Sequence, residues 1–465
     1  MKRSPAVLAL LAAALVAWFS PQACAQATLT TLFTNGPAAK RINMVVLSEG
    51  YTAGQLGQFL NDARSAVSNL LASPPYLEYS NYFNAFAISV ASAESGSDHH
   101  TPTLSLVNTY FNSTYDSFGT QRLITIPPND WDGAYADGQG KVDALLQSLM
   151  PEYDLVILLV NDTQYGGSGG TTLISSLNSS SAEIVKHESG HTFGGLTDEY
   201  TNAYPAYTTV EKPNATAQTS RPLIKWGTWI DSATPIPTPQ TSSYSMVVGL
   251  FQGAEYQTTG WYRPKLDCKM NHLGISFCEV CAEQLVTSIY GRISAIDSYS
   301  PASSSLSVTY AQAMPFAAIP LRPATHSLAL QWFVDGAPIA AATNSTFTLQ
   351  PQLFANGNHA LRAQVLDTTT LVRSDPFHLL SNSVTWTVNI SLSQMTLVSA
   401  RTLTGGRLAF GVIGTAPRGL ILQASTDLLS WSSLSTNALV GGRADFTNSD
   451  PAGIQHRFYR AQAVP

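Results

Sequence analysis

Charge is scarce in this sequence. Asp, Glu, Lys and Arg make up 12% of 465 residues, against 44% hydrophobic and 10% aromatic. No basic run occurs and the formal net charge is −6, so the chain carries no electrostatic footprint for a nucleic-acid partner. Long apolar runs are scarce too. The one at 6–19 is short for a membrane span, and no later segment is long and apolar enough for one. Cysteine is rare, with four in all. What is plentiful is Ser, Thr, Asn and Gly, a balance that suits an exported, β-rich protein better than a cytosolic helical one.

The N-terminus reads as a targeting segment. Lys2 and Arg3 form a short positive region, the apolar run follows, and Ala23-Cys24-Ala25 makes an A-x-A cleavage site. The signal peptide is therefore 1–25. A lipid anchor on Cys24 is disfavoured, because Pro21-Gln22-Ala23 lacks the leucine usual before such a cysteine. The expected location is secreted, periplasmic or at the cell surface, without a transmembrane anchor. Cleavage leaves Cys268, Cys278 and Cys281. In an oxidising compartment these predict one disulfide, Cys268 with one of the later two, and one odd thiol. The Cys-x-x-Cys at 278 and 281 suggests zinc, but a structural zinc site needs a fourth ligand.

The length predicts two to four domains. Residues 26–300 read as mixed α/β. The runs at 42–47 and 155–160 have the length and apolarity of buried strands, and 53–71 has helical spacing. YGGSGG at 165–170 is a loop by composition. Near residues 298–305 Pro, Ser and Ala cluster, and helical periodicity then fades. Turn pairs Asp335-Gly336 and Asn356-Gly357 punctuate an Ig-like β-sandwich at 301–392. Short strands with turns at Gly405-Gly406 and Gly441-Gly442 make a second, smaller sandwich at 393–465. Trp332, Trp386 and Trp431 fit sandwich cores better than a ligand surface.

The chemistry concentrates in IVKHESGHTFGGLTDEY, residues 184–200. Ser180 and Glu183 match a capping box that would start a helix there. On that helix His187 and His191, four apart, project from one face, so two imidazoles can reach one zinc ion at about 2.0–2.1 Å. Glu188, next to His187, stands beside the metal, where it can take a proton from an attacking water. A catalytic zinc needs a third protein ligand. Gly194-Gly195 can end the helix and reverse the chain, which leaves Asp198 and Glu199 as competing candidates. Spacing from Gly195 favours Asp198, with one residue more than the usual metzincin count.

With these residues in place, the chain resembles the bacterial IgA-protease-type zinc metallopeptidases, a metzincin-like group. The resemblance covers most of 36–290, and HESGHTFGGLTDEY and GWYRPKLDCKMNHLGISFCEVC carry it most specifically. It implies a metzincin-like α/β (α+β) peptidase domain followed by β-sandwich domains. It implies one catalytic Zn2+, with His187 and His191 as ligands and Glu188 as base. It makes Met270 the methionine turn under the metal and lets Tyr262 hydrogen-bond a developing oxyanion. Gly166, Gly167 and Gly169 would border the cleft, where a peptide can pair as an added strand. Asn271 stands where the family commonly has arginine. Asp98, His99 and His100 form a polar cluster that reads as a solvated loop before it reads as a second metal site, and Glu49 and Asp62 are conceivable Ca2+ ligands that no spacing supports.

The expectation is an exported zinc endopeptidase acting on protein or peptide, with β domains attaching it to a surface or polymer. The rivals are a non-catalytic binding protein on a peptidase-like scaffold and a zinc amidase of cell-wall peptides. Intact His187, Glu188 and His191 argue against the scaffold.

Overall fold

The computed structural model describes residues 27–465, apart from 133–135, 203, 205–206, 310–311, 392–394, 405–406, 415–418, 441–442, 449–456 and 464–465. The expected signal peptide and the Gly405-Gly406 and Gly441-Gly442 turns lie outside the described residues. The chain divides into two compact units. The first comprises residues up to Ile293 with the short segments Pro323–Thr325 and Thr370–Pro376; the second comprises Ser294–Arg322, His326–Thr369 and Phe377–Pro465.

In the first unit the elements run β1 (Thr28–Phe33), β2 (Ile42–Glu49), α1 (Leu56–Leu71), β3 (Phe83–Ser89), β4 (Thr114–Tyr115), β5 (Ile124–Thr125), α2 (Gly138–Leu149), β6 (Leu155–Val160), β7 (Gly167–Ser168), β8 (Leu173–Ser176), α3 (Ser181–Thr192), β9 (Phe251–Ala254), β10 (Gln257–Arg263) and α4 (Glu279–Tyr290). Six strands form one sheet in the order β1-β3-β2-β6-β8-β7. The inner four run parallel; β1 and β7 run antiparallel at the two edges. Every residue of β2 and β6 is buried. That explains the apolar runs 44–47 of β2 and 155–160 of β6: a parallel strand covered on both faces has no polar side to show. Val45, Leu47, Val156 and Leu158 pack with Val142 and Leu146 of α2 on one face. Alternation turns Met44, Val46 and Ile157 to the other face, where α1 and α3 pack on each other and on the sheet.

The second unit is built of antiparallel sheets with one parallel pair. Sheets of three and five strands between 296 and 391 enclose Trp332, Trp386 and Phe316, and the two indoles stack at 5.8 Å. Ile296–Ser300 already pairs with Met314–Pro320. Asp335-Gly336, both at positive φ, closes a two-residue hairpin, as its residue types predict. Asn356-Gly357 does not: Gly357 opens a strand that pairs with 329–334 and 381–390. Two further three-stranded sheets between 396 and 463 bury Phe410, Leu420, Leu422 and Phe446. Among the described residues no helix is long and apolar enough to cross a membrane.

Candidate metal centre

Helix α3 leaves β8 and carries the two histidines. It begins just after Ser180, yet the capping box does not form. Asn178 Oδ1 accepts from Ser180 N at 3.0 Å. Glu183 is drawn elsewhere, accepting from Lys186 Nζ at 2.8 Å, from Gly274 N at 2.9 Å and from Lys269 Nζ. These bonds tie the first turn of α3 to the 269–274 loop. Burial alone would raise the Glu183 carboxyl, but the two lysines outweigh it and bring it down to about 2.

The same loop orients the first imidazole. His187 Nδ1 faces Lys269 O at 2.9 Å, and His191 Nδ1 faces Leu196 O at 2.9 Å. A ring nitrogen against a carbonyl must donate, so each Nε2 is left to offer a lone pair. The helix then stops. Gly195 takes φ +65°, its N–H bonds His191 O at 3.0 Å, and Leu196 N bonds Gly190 O at 3.0 Å. A left-handed glycine is the usual way to reverse a chain at a helix end, and here the reversal brings Asp198 back. Asp198 Oδ1 lies 3.1 Å from His187 Nε2 and 3.3 Å from His191 Nε2, and the two Nε2 atoms are 3.2 Å apart. Four ligands about 2.0–2.1 Å from a tetrahedral zinc are separated by roughly 3.3–3.4 Å. The triangle is close to one face of such a site. Asp198 Oδ1 is buried without a hydrogen-bond donor, while Asp198 Oδ2 accepts from Tyr256 OH.

The acids of the cluster favour charge on the two histidines. Burial opposes charging His191, but the Asp198 carboxylate prevails and pushes its pKa up to about 9. His187 also moves up: burial opposes, and Asp198 and Glu188 override it. Burial opposes ionising Asp198 as well, and the two histidines hold it far down. Glu188 Oε2 is 4.0 Å from His191 Nε2. Burial raises Glu188, partly offset by the histidines.

Glu199 turns the other way. Its Oε1 accepts from Asn214 Nδ2 at 3.0 Å and lies 3.3 Å from Cys281 Sγ, while its N–H bonds Met270 O at 2.8 Å. The expected disulfide is not formed. Cys268, Cys278 and Cys281 are free, and the Cys268 and Cys281 sulfurs stand 3.6 Å apart, against about 2.03–2.05 Å for a bond. The carboxylate of Glu199 shares the space between the thiols.

Met270 packs beneath α3: a Cβ added to Gly190 would meet its Sδ at 2.5 Å. The glycine loop abuts the centre. A Cβ on Gly169 would meet His191 Cβ at 2.5 Å, and one on Gly167 would lie 2.6 Å from Ile184 Cγ2 and 3.3 Å from Glu188 Oε1. Gly166 faces Tyr115 and Ile124 instead. Strand addition at β7 meets an obstacle, since Gly167 N already bonds Arg122 O at 3.1 Å. Tyr262 is not brought to the histidines by any described contact. Its backbone pairs with Thr216 and its ring packs on the apolar cluster around Leu196 and Met270. Tyr256 and Tyr200, which burial and Asp198 together push up, stand at the site. Glu49 accepts from Thr109 Oγ1, Phe111 N and Ser113 N, and Asp62 accepts from Tyr51 OH, so protein donors serve both of the conceivable calcium ligands. His99 pairs with Asp162 at 2.8 Å while His100 stacks on Trp131; they do not converge.

No curated protein matches the chain. Among solved structures, an apo structure of Bacteroides uniformis beta-glucuronidase 3 is similar at 10% identity over 44% of this chain, with a TM-score of 0.14. The chain spans 28% of that one's length, and a likeness this low carries no argument. The family model of IgA Peptidase M64 matches residues 30–246 and 240–289. That is more than half the chain, and it contains both histidines, Glu188, Asp198 and the three cysteines. The chain belongs to the IgA peptidase M64 family and is, by that membership, a peptidase.

Proposed function

We propose that the protein is an exported zinc endopeptidase of metzincin-like architecture whose metal is held by His187, His191 and Asp198. The observation that carries this is the triangle of Nε2, Nε2 and Oδ1, with a buried Oδ1 that no hydrogen-bond donor satisfies. Bound there, zinc supplies Lewis acidity to a water and to the scissile carbonyl. The chain's own residues do the rest. Lys269 O and Leu196 O hold the imidazoles in the tautomer that leaves Nε2 unprotonated. Tyr256 holds Asp198 by Oδ2, which would leave Oδ1 for a metal. Glu188 takes a proton from the attacking water and delivers it to the leaving amine. Met270 under Gly190 supports a methionine-turn role. Gly167 and Gly169 let the substrate-side loop approach Glu188 and His191 as no side chain would. The signal-like start supports export, and the β-rich second unit is a reasonable attachment module.

The test is cleavage of a diverse peptide library by the wild type beside Glu188→Ala. Wild-type cuts should fall about 10²–10⁴-fold in rate in the variant while the metal content stays equal. Equal cleavage by both would refute the role of Glu188. Silence from both with the metal bound would refute a broad endopeptidase.

A further inference from the structure

We propose that Cys268, Cys278, Cys281 and Glu199 form a second metal site, a closed structural Zn2+ centre behind the histidine cluster. Their ligand atoms lie within 4.8 Å of one another and all four residues are buried. The separations suit a shared ion. Zn–S near 2.3 Å and Zn–O near 2.0–2.2 Å give tetrahedral edges of roughly 3.8 Å between sulfurs and roughly 3.6 Å between sulfur and oxygen. The structure has Cys268 Sγ to Cys281 Sγ at 3.6 Å and Cys281 Sγ to Glu199 Oε1 at 3.3 Å. Two further observations point to a ligand. Glu199 Oε2 is buried with no hydrogen-bond partner, a costly state for a carboxylate oxygen unless a cation faces it. Cys278 N donates to Cys268 Sγ at 3.2 Å, the kind of bond that orients a ligating thiolate. Cys278 caps α4 and Cys281 lies in its first turn, where the helix end favours thiolate charge. Buried Arg263, whose charge acts on Glu199, offsets part of the remainder. Three soft thiolates with one carboxylate and no open position describe a structural zinc site rather than a catalytic one.

The location says what the ion would fix. Glu199 follows Asp198; Cys268 precedes Lys269, whose carbonyl holds His187, and Met270; Cys281 belongs to α4. One ion would clamp the returning chain, the methionine turn and a helix together under the histidine site.

The experiment is metal analysis of the whole chain, zinc-loaded and then cobalt-substituted. The expected result is two metals per chain and a thiolate-to-cobalt charge-transfer band. His187→Ala with His191→Ala should remove one metal and keep the band; Cys278→Ser should remove the band. Should Cys278→Ser fail to fold, the wild type and the histidine variant still decide. One metal per chain without the band overturns the proposal, whether the thiols are then free or oxidised to a Cys268–Cys281 disulfide. A band that persists while the histidine variant loses no metal would instead overturn the histidine-centre reading and leave this one standing.

Discussion

Two clusters sit back to back, and they differ in one respect above all. At the first, the His191, Glu188 and His187 side chains keep 19%, 12% and 11% of their surface open and Asp198 keeps 5%. At the second, Cys268, Cys281 and Glu199 are 0% exposed and Cys278 is 5% exposed. A metal that works on substrate needs a vacant position and a way in, whereas a metal that only holds the fold is sealed by protein on every side. On the two proposals, neighbouring acids, one facing each cluster, would have different duties: Asp198 would serve chemistry and Glu199 architecture.

Substitution of those acids tests that division most severely. Asp198→Asn should weaken zinc binding at the histidine site by more than about a hundredfold, beyond what loss of an outer partner costs. Glu199→Gln should leave that affinity nearly intact and lower the unfolding temperature. Chelator competition and thermal unfolding read the two, and the reverse pattern would exchange the roles. A smaller effect is expected at Tyr256. Tyr256→Phe removes the donor to Asp198 Oδ2, and activity or metal affinity should fall about 10–100-fold; an unchanged kcat/KM with unchanged zinc affinity would show that Asp198 is held by other means.

Acid separates the support from the ligands more gently. Glu183 titrates at about 2 in the fold, below its ordinary 4.5. A depressed carboxyl contributes stability above its unfolded pKa and loses it as pH falls through the folded one. The stability difference between wild type and Glu183→Gln should thus be full above about pH 4.5 and shrink towards pH 2. A difference constant across that range, in unfolding scans, would mean the Lys186 and Lys269 contacts contribute little. The smallest change is expected at Tyr262: Tyr262→Phe should keep kcat within about twofold, because its ring packs in an apolar cluster.

Parts of this were legible in the sequence because their signals are local. The apolar runs of β2 and β6 and the start of α3 need only a few residues to be read. The i, i+4 histidines need one helical turn. The fate of the cysteines did not follow from spacing, because the fourth member of their cluster comes from 82 positions before Cys281. A cysteine count in an oxidising compartment favours a disulfide; only the fold supplies the carboxylate. Tyr256 was illegible for the same reason, 58 positions from Asp198 and one of 19 tyrosines. Tyr262 was assigned a role through its motif; its ring packs against an apolar cluster that the motif does not announce. Glu183 looked like a cap because the pattern S-x-x-E is blind to the lysine that the distant loop brings against it.

The dipeptide Asp198-Glu199 also limits how this protein can change over time. Two acids one residue apart face opposite sides, so a single insertion or deletion between Gly195 and Asp198 would present each cluster with the wrong neighbour. Substitutions there can be tolerated one by one; a shift of frame by one residue would alter both clusters at once. Length variation in related chains should therefore collect in the surface loops and leave the stretch from His191 to Glu199 at constant length.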